Sequence, residues 1–94
     1  MFVLITYDVS TIDKAGSRRL RRVAQACEDY GQRVQKSVFE CKVDQRGWVN
    51  LKARLLAEID EREDSLRFYS LEVDTPIQHF GINRTVDLED PLVF

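Results

Sequence analysis

The sequence predicts an α+β fold, an antiparallel sheet with two helices packed on one of its faces. Three observations predict it. A nearly continuous apolar run from Phe2 to Thr6 opens the chain, two stretches of helical periodicity follow, and β-rich segments lie between and after them. The order β-α-β-β-α-β with this spacing is the ferredoxin-like plan. Its 94 residues suit one domain, with residues 1–76 as the core and 77–94 as a C-terminal edge strand and tail of that same domain.

Met1–Val9 reads as a strand buried on both faces, because its apolar residues run on instead of alternating. Ser10-Thr11-Ile12-Asp13 is turn material with Asp13 as N-cap, and a helix runs from about Lys14 to Tyr30. Leu20, Val23, Ala24 and Cys27 fall on its apolar face, and Gly31 is placed to end it as a left-handed cap. Gln32–Val43 reads as two short strands in a tight hairpin, Arg33–Gln35 and Val38–Val43, or as one bent strand. Asp44 caps a second helix with Trp48, Leu51, Leu55 and Ile59 at helical spacing. Arg62–Asp64 connects it to a strand over Leu66–Val73, which Thr75-Pro76 breaks. Ile77–Ile82 is expected as a short edge strand.

Composition narrows the class. Hydrophobic residues at 44% and charged residues at 32% describe an ordinary soluble globular protein. No apolar run reaches the ~20 residues of a membrane helix, and the first strand lacks the basic leader of a signal peptide, so the expected location is the cytoplasm. Cys27 and Cys41 are too far apart for a CxxC pair and sit at apolar positions, as buried small hydrophobes. The net charge of −2 hides a split: residues 14–46 hold nine Lys/Arg against four Asp/Glu, and residues 47–94 hold five against ten. A basic half steers a polyanion even on an acidic chain, although a solvated helix face gives the same pattern.

Asp8 ends the first strand and is the only charged residue before Asp13. A carboxylate there is either a ligand to a divalent cation or a strand-end aspartate bonding the Ser10-Thr11 backbone. Alone it makes a poor cation site, since Mg²⁺ takes one or two carboxylates plus waters and phosphates. A second copy of the chain is therefore expected to supply a second Asp8. The same copy would cover the apolar strand, for which the sequence holds no third layer. Arg18, Arg19, Arg21, Arg22 and Arg33 suit phosphate contacts, because a guanidinium matches phosphate oxygens in pairs. No base-reading module or glycine-rich phosphate loop is present. His79, the only histidine, reads as a surface or tail-docking residue rather than a general base.

At Leu4-Ile5-Thr6-Tyr7-Asp8-Val9, Arg19-Leu20-Arg21-Arg22-Val23 and Arg33-Val34-Gln35-Lys36-Ser37-Val38-Phe39-Glu40-Cys41 the chain resembles the CRISPR-associated protein two family. The resemblance covers nearly the whole chain to Leu71. Lys36 stands where the family often has an aromatic residue, and the segment after Pro76 matches least. The resemblance implies a homodimer whose two Asp8 carboxylates face each other across a cleft and share one Mg²⁺. Tyr7 is either a catalytic residue that bonds a phosphate or positions Asp8, or an interface or core aromatic; Ser37 and Phe39 fall on the hairpin that the resemblance puts near the cleft, or are a turn residue and a core residue. It implies a role in CRISPR spacer acquisition as a Mg²⁺-dependent endonuclease on single-stranded RNA or double-stranded DNA. The alternative it implies is a non-catalytic DNA-binding scaffold between CRISPR integrase dimers, with the C-terminal tail docking on the integrase. A ferredoxin-like phosphatase of acylphosphatase type is a poorer fit, because Ser10-Thr11-Ile12-Asp13 has no glycine for a phosphate cradle.

Overall fold

The computed structural model describes residues 1–82, in the order β1 (Phe2–Asp8), α1 (Lys14–Tyr30), β2 (Gln32–Gln35), β3 (Val38–Lys42), α2 (Gln45–Glu58) and β4 (Ser65–Leu71). Both helices begin where a short acid satisfies a free backbone donor. Asp13 Oδ1 accepts the Gly16 N–H at 2.8 Å and Asp44 Oδ1 accepts the Gly47 N–H at 2.7 Å. The strands form one antiparallel sheet in the order β2-β3-β1-β4. Leu4 lies between Glu40 and Tyr69, and Ile5 between Phe39 and Phe68.

Strand alternation divides the side chains of this sheet between two environments. Val3, Ile5 and Tyr7 of β1 pack with Phe39 and Cys41 of β3 against the helices, where Val23, Ala26, Cys27, Leu51 and Leu55 complete a buried cluster. Trp48 of α2 meets Phe68 of β4 edge to face at 4.8 Å, which seats that helix over the β4 side of the sheet. Phe2, Leu4, Thr6 and Asp8 alternate onto the other face, beside Tyr69 and Leu71. Those two remain 40% and 37% exposed while Phe2 is buried, so this face, which also carries Glu40, Lys42 and Arg67, is covered only in part.

The hairpin alternative holds: Lys36-Ser37 forms the turn, and β2 pairs with β3 with a register shift between Arg33 and Gln35. Gly31 does not form the expected left-handed cap. Its φ is −155°, extended backbone open to any residue. Glycine is required there by close approach, since a Cβ would lie 2.3 Å from Cys41 Sγ and 2.6 Å from the Glu40 carbonyl oxygen. The edge strand expected at Ile77–Ile82 is not formed. Ile77 lines a hollow with Phe2, Gln32, Glu40 and Lys42, on the open face at β2 and β3. Residues 77–79 line a second hollow with Gln32, Val34 and Gln35 of the edge strand β2 without joining its ladder. β4 ends at Leu71, earlier than expected and well before Pro76. The tail proposed to dock on an integrase lies outside the described residues.

Candidate functional site

Asp8 emerges where β1 leaves the sheet, opposite Ser65 of β4. Its side chain is exposed and makes no hydrogen bond or ion pair among the described residues. The neighbouring backbone is held by other groups. The Tyr7 N–H donates to the Ser37 carbonyl at 3.1 Å, and the Ser10 N–H donates to Asp64 Oδ1 at 3.1 Å. Bonding the Ser10 turn is thus the work of Asp64, and the Asp8 carboxylate is left over.

Asp64 organises this end of the molecule. Its fully buried carboxylate accepts Nε of Arg19 at 2.8 Å and Nη2 at 3.2 Å, as well as the Asp60 N–H at 2.8 Å. The Arg19 guanidinium holds the Asp64 carboxyl below the usual carboxylate range, aided by the two backbone donors and opposed by burial; Asp64 in turn raises Arg19. Two chain segments 54 residues apart, the loop after Asp8 and the entry to β4, are thereby tied together. Arg19, expected at a phosphate, is occupied here. Asp64 had no signal in the sequence beyond its place in a charged connection.

The remaining residues divide between the two layers. Tyr7 does not share a face with Asp8: its ring is buried on the helix side and stacks on Phe39 at 6.2 Å. Phe39 is a fully buried core residue. Arg33 lies over the Phe39 ring at 5.0 Å and pairs with Glu28 at 3.1 Å. Arg22 stands 3.7 Å from Glu58, a loose surface pair. Arg18 and Arg21 are exposed on α1 with no ion pair among the described residues. Ser37 contributes its carbonyl to Tyr7, and His79 lines a hollow with Gln32, Gln35 and Glu40.

Burial pushes the Cys27 thiol up to about 12 and the Cys41 thiol up to about 11, so neither serves as a nucleophile. Among the described residues no group of three or more His, Cys, Asp or Glu side chains stands ready to hold a metal. An unpartnered exposed carboxylate does suit a hard, oxygen-seeking cation, and among the described residues it stands in no cluster of such ligands. Among the described residues no helix is long and apolar enough to cross a membrane.

Comparison with known proteins gives one consistent answer. The family model described as CRISPR associated protein Cas2 matches residues 1–75. The chain is 57% identical to a protein of Moorella thermoacetica named CRISPR-associated endoribonuclease Cas2 1, over 99% of each chain. It is 54% identical to the CRISPR-associated endonuclease Cas2 of Halalkalibacterium halodurans, over 100% of each. Among solved structures, that of Streptococcus pyogenes Cas2 at pH 6.5 superposes with a TM-score of 0.72 at 57% identity, covering 79% of this chain and 89% of that one.

Proposed function

The chain belongs to the CRISPR-associated protein Cas2 family, and from that premise we propose that it is a cytoplasmic, metal-dependent endonuclease of CRISPR spacer acquisition, active as a homodimer on single-stranded RNA or double-stranded DNA. The observation that carries this reading is Asp8: an exposed carboxylate on a rigidly held strand end, with no hydrogen-bond or ion-pair partner among the described residues. The names of the relatives, two of them an endoribonuclease and an endonuclease, support the same chemistry.

A second copy seated on the open face would cover Leu4, Tyr69 and Leu71 and bring a second Asp8 to the first. The two carboxylates together would hold one Mg²⁺, which when bound makes water acidic and offsets charge on a phosphodiester. The protein's own contribution is to orient those carboxylates through the Asp64 anchor of the Ser10 turn and to bind the polyanion through exposed arginines. Purified dimer should cut oligonucleotides in Mg²⁺, and Asp8→Asn should abolish cutting while dimerisation and binding persist. Cutting by Asp8→Asn at the wild-type rate would refute the assignment.

One observation favours a second reading, a DNA-binding scaffold that joins CRISPR integrase dimers. Arg18 and Arg21 lie in the helix layer, on the other side of the sheet from Asp8. Duplex binding that falls steeply with salt yet ignores Asp8→Asn, without any cutting by the wild-type dimer, would select the scaffold.

A further inference from the structure

Between α1 and the β2–β3 hairpin lies a hollow of about 270 Å³, on the face of the sheet opposite Asp8. Its walls are of two kinds. Leu20 and Ala24 of α1 and the ring of Tyr7 make an apolar floor, while Arg21, Arg33 and Lys36 bring three cations to it, with Ser37 at the turn. Arg33 is nearly buried, fixed by Glu28 at 3.1 Å and by the Phe39 ring beneath it at 5.0 Å. Arg21 and Lys36 are exposed and have no ion pair among the described residues.

An apolar floor with an aromatic wall and cations above it matches an amphiphilic anion, a flat unsaturated ring carrying phosphate. Inorganic phosphate alone would leave the floor wet, and an apolar molecule would leave the cations unanswered. We infer that this hollow is a pocket for one unpaired nucleotide, its base against Leu20, Ala24 and Tyr7 and its phosphate between Arg21 and Lys36. A base paired in a duplex must first be unstacked to enter, so the pocket favours single strands. The pocket adjoins the strand end that carries Asp8: Ser37 receives the Tyr7 N–H at 3.1 Å, and Asp8 is the next residue. A strand seated there leads round the end of the sheet towards the carboxylate. This inference rests on the nucleic-acid reading above and assigns to it a strand preference and a base-binding subsite.

The test is binding of the full-length protein to a short single-stranded oligonucleotide, to the same strand made abasic, and to a duplex. The base-bearing strand should bind roughly tenfold more tightly than the abasic strand, within the range that stacking of one base supplies. Ala24→Leu, which fills the floor, should erase that ratio and leave duplex binding unchanged. Arg21→Gln and Lys36→Gln should weaken single-strand binding while preserving the ratio. Uridine, added to unsubstituted protein, should shift the Ala24 methyl resonance, a readout independent of whether Ala24→Leu folds. Equal binding of base-bearing and abasic strands with duplex binding intact, or an unmoved Ala24 methyl, overturns the pocket alone. Absence of salt-sensitive binding to every nucleic acid overturns the parent reading with it.

Discussion

Replacing Asp64 by alanine tests how the site end of the molecule is held. The carboxylate receives four hydrogen bonds, at 2.8 and 3.2 Å from Arg19, 3.1 Å from Ser10 and 2.8 Å from Asp60. Truncation leaves two backbone N–H groups without acceptors and a guanidinium without its counter-charge. Each orphaned donor costs about 1–3 kcal/mol when water does not reach it. Water will reach part of this exposed end once the side chain is gone, so the net loss should be about 3 kcal/mol. For a domain of this size that is roughly 12–24 °C in Tm. Asp64→Asn keeps one acceptor oxygen and should lose about half as much.

The pH dependence of the same pair has a definite sign. Arg19 holds the folded Asp64 below its ordinary 3.8, so the unfolded chain takes up this proton at a higher pH than the folded one. The contribution is complete above that ordinary value and disappears as pH falls through the lower folded value. Urea midpoints at a series of pH values should show the gap between wild type and Asp64→Asn narrowing below about pH 4. A gap unchanged down to pH 3, or an Asp64→Ala variant as stable as wild type, would refute the reasoning.

Four further outcomes are expected. Gly31→Ala should destabilise by about 2–3 kcal/mol in urea unfolding, and adding Cys41→Ala should not restore it, because the Glu40 carbonyl still obstructs the new Cβ. Cys27 and Cys41 should resist a thiol reagent in the folded protein near pH 8 and both react in denaturant; since burial raises both thiols, their contribution to stability is present below about pH 9 and lost as pH climbs towards 11–12. Arg18→Gln should flatten the slope of binding against salt by about 0.7–0.9 if it contacts one phosphate, read by anisotropy. Asp8→Asn should leave the unfolding free energy from urea titration within about 0.5 kcal/mol of wild type, because its carboxylate has no partner among the described residues to lose.

Legibility in the sequence followed the range of the interaction. Asp13 and Asp44 could be named as caps because each bonds a donor three residues away, at Gly16 and Gly47. Val23, Cys27, Leu51 and Leu55 could be named as core because helical period alone sets which face they occupy. Gly31 was right in place and wrong in reason: the need for glycine arises from β3 passing against it, a contact no local pattern contains. Tyr7 and Asp8 are adjacent in sequence, yet the two-residue period of a strand parts them onto opposite faces. Arg19 looked like its neighbours on α1 until the fold brought Asp64 to it.

By itself, then, the sequence determined the order of elements, their caps, the buried stripes and the family resemblance, all of which depend on spacing along the chain. The tertiary structure alone decided which arginine is occupied, which carboxylate anchors the Ser10 turn and which is left over. Those outcomes depend on contacts spanning 45 and 54 residues, made by polar groups whose partners are chosen by sheet register and loop path. Spacing has no period that reports them. Asp8 and Asp64 are the same residue type, and only the fold gives one a structural task and leaves the other exposed.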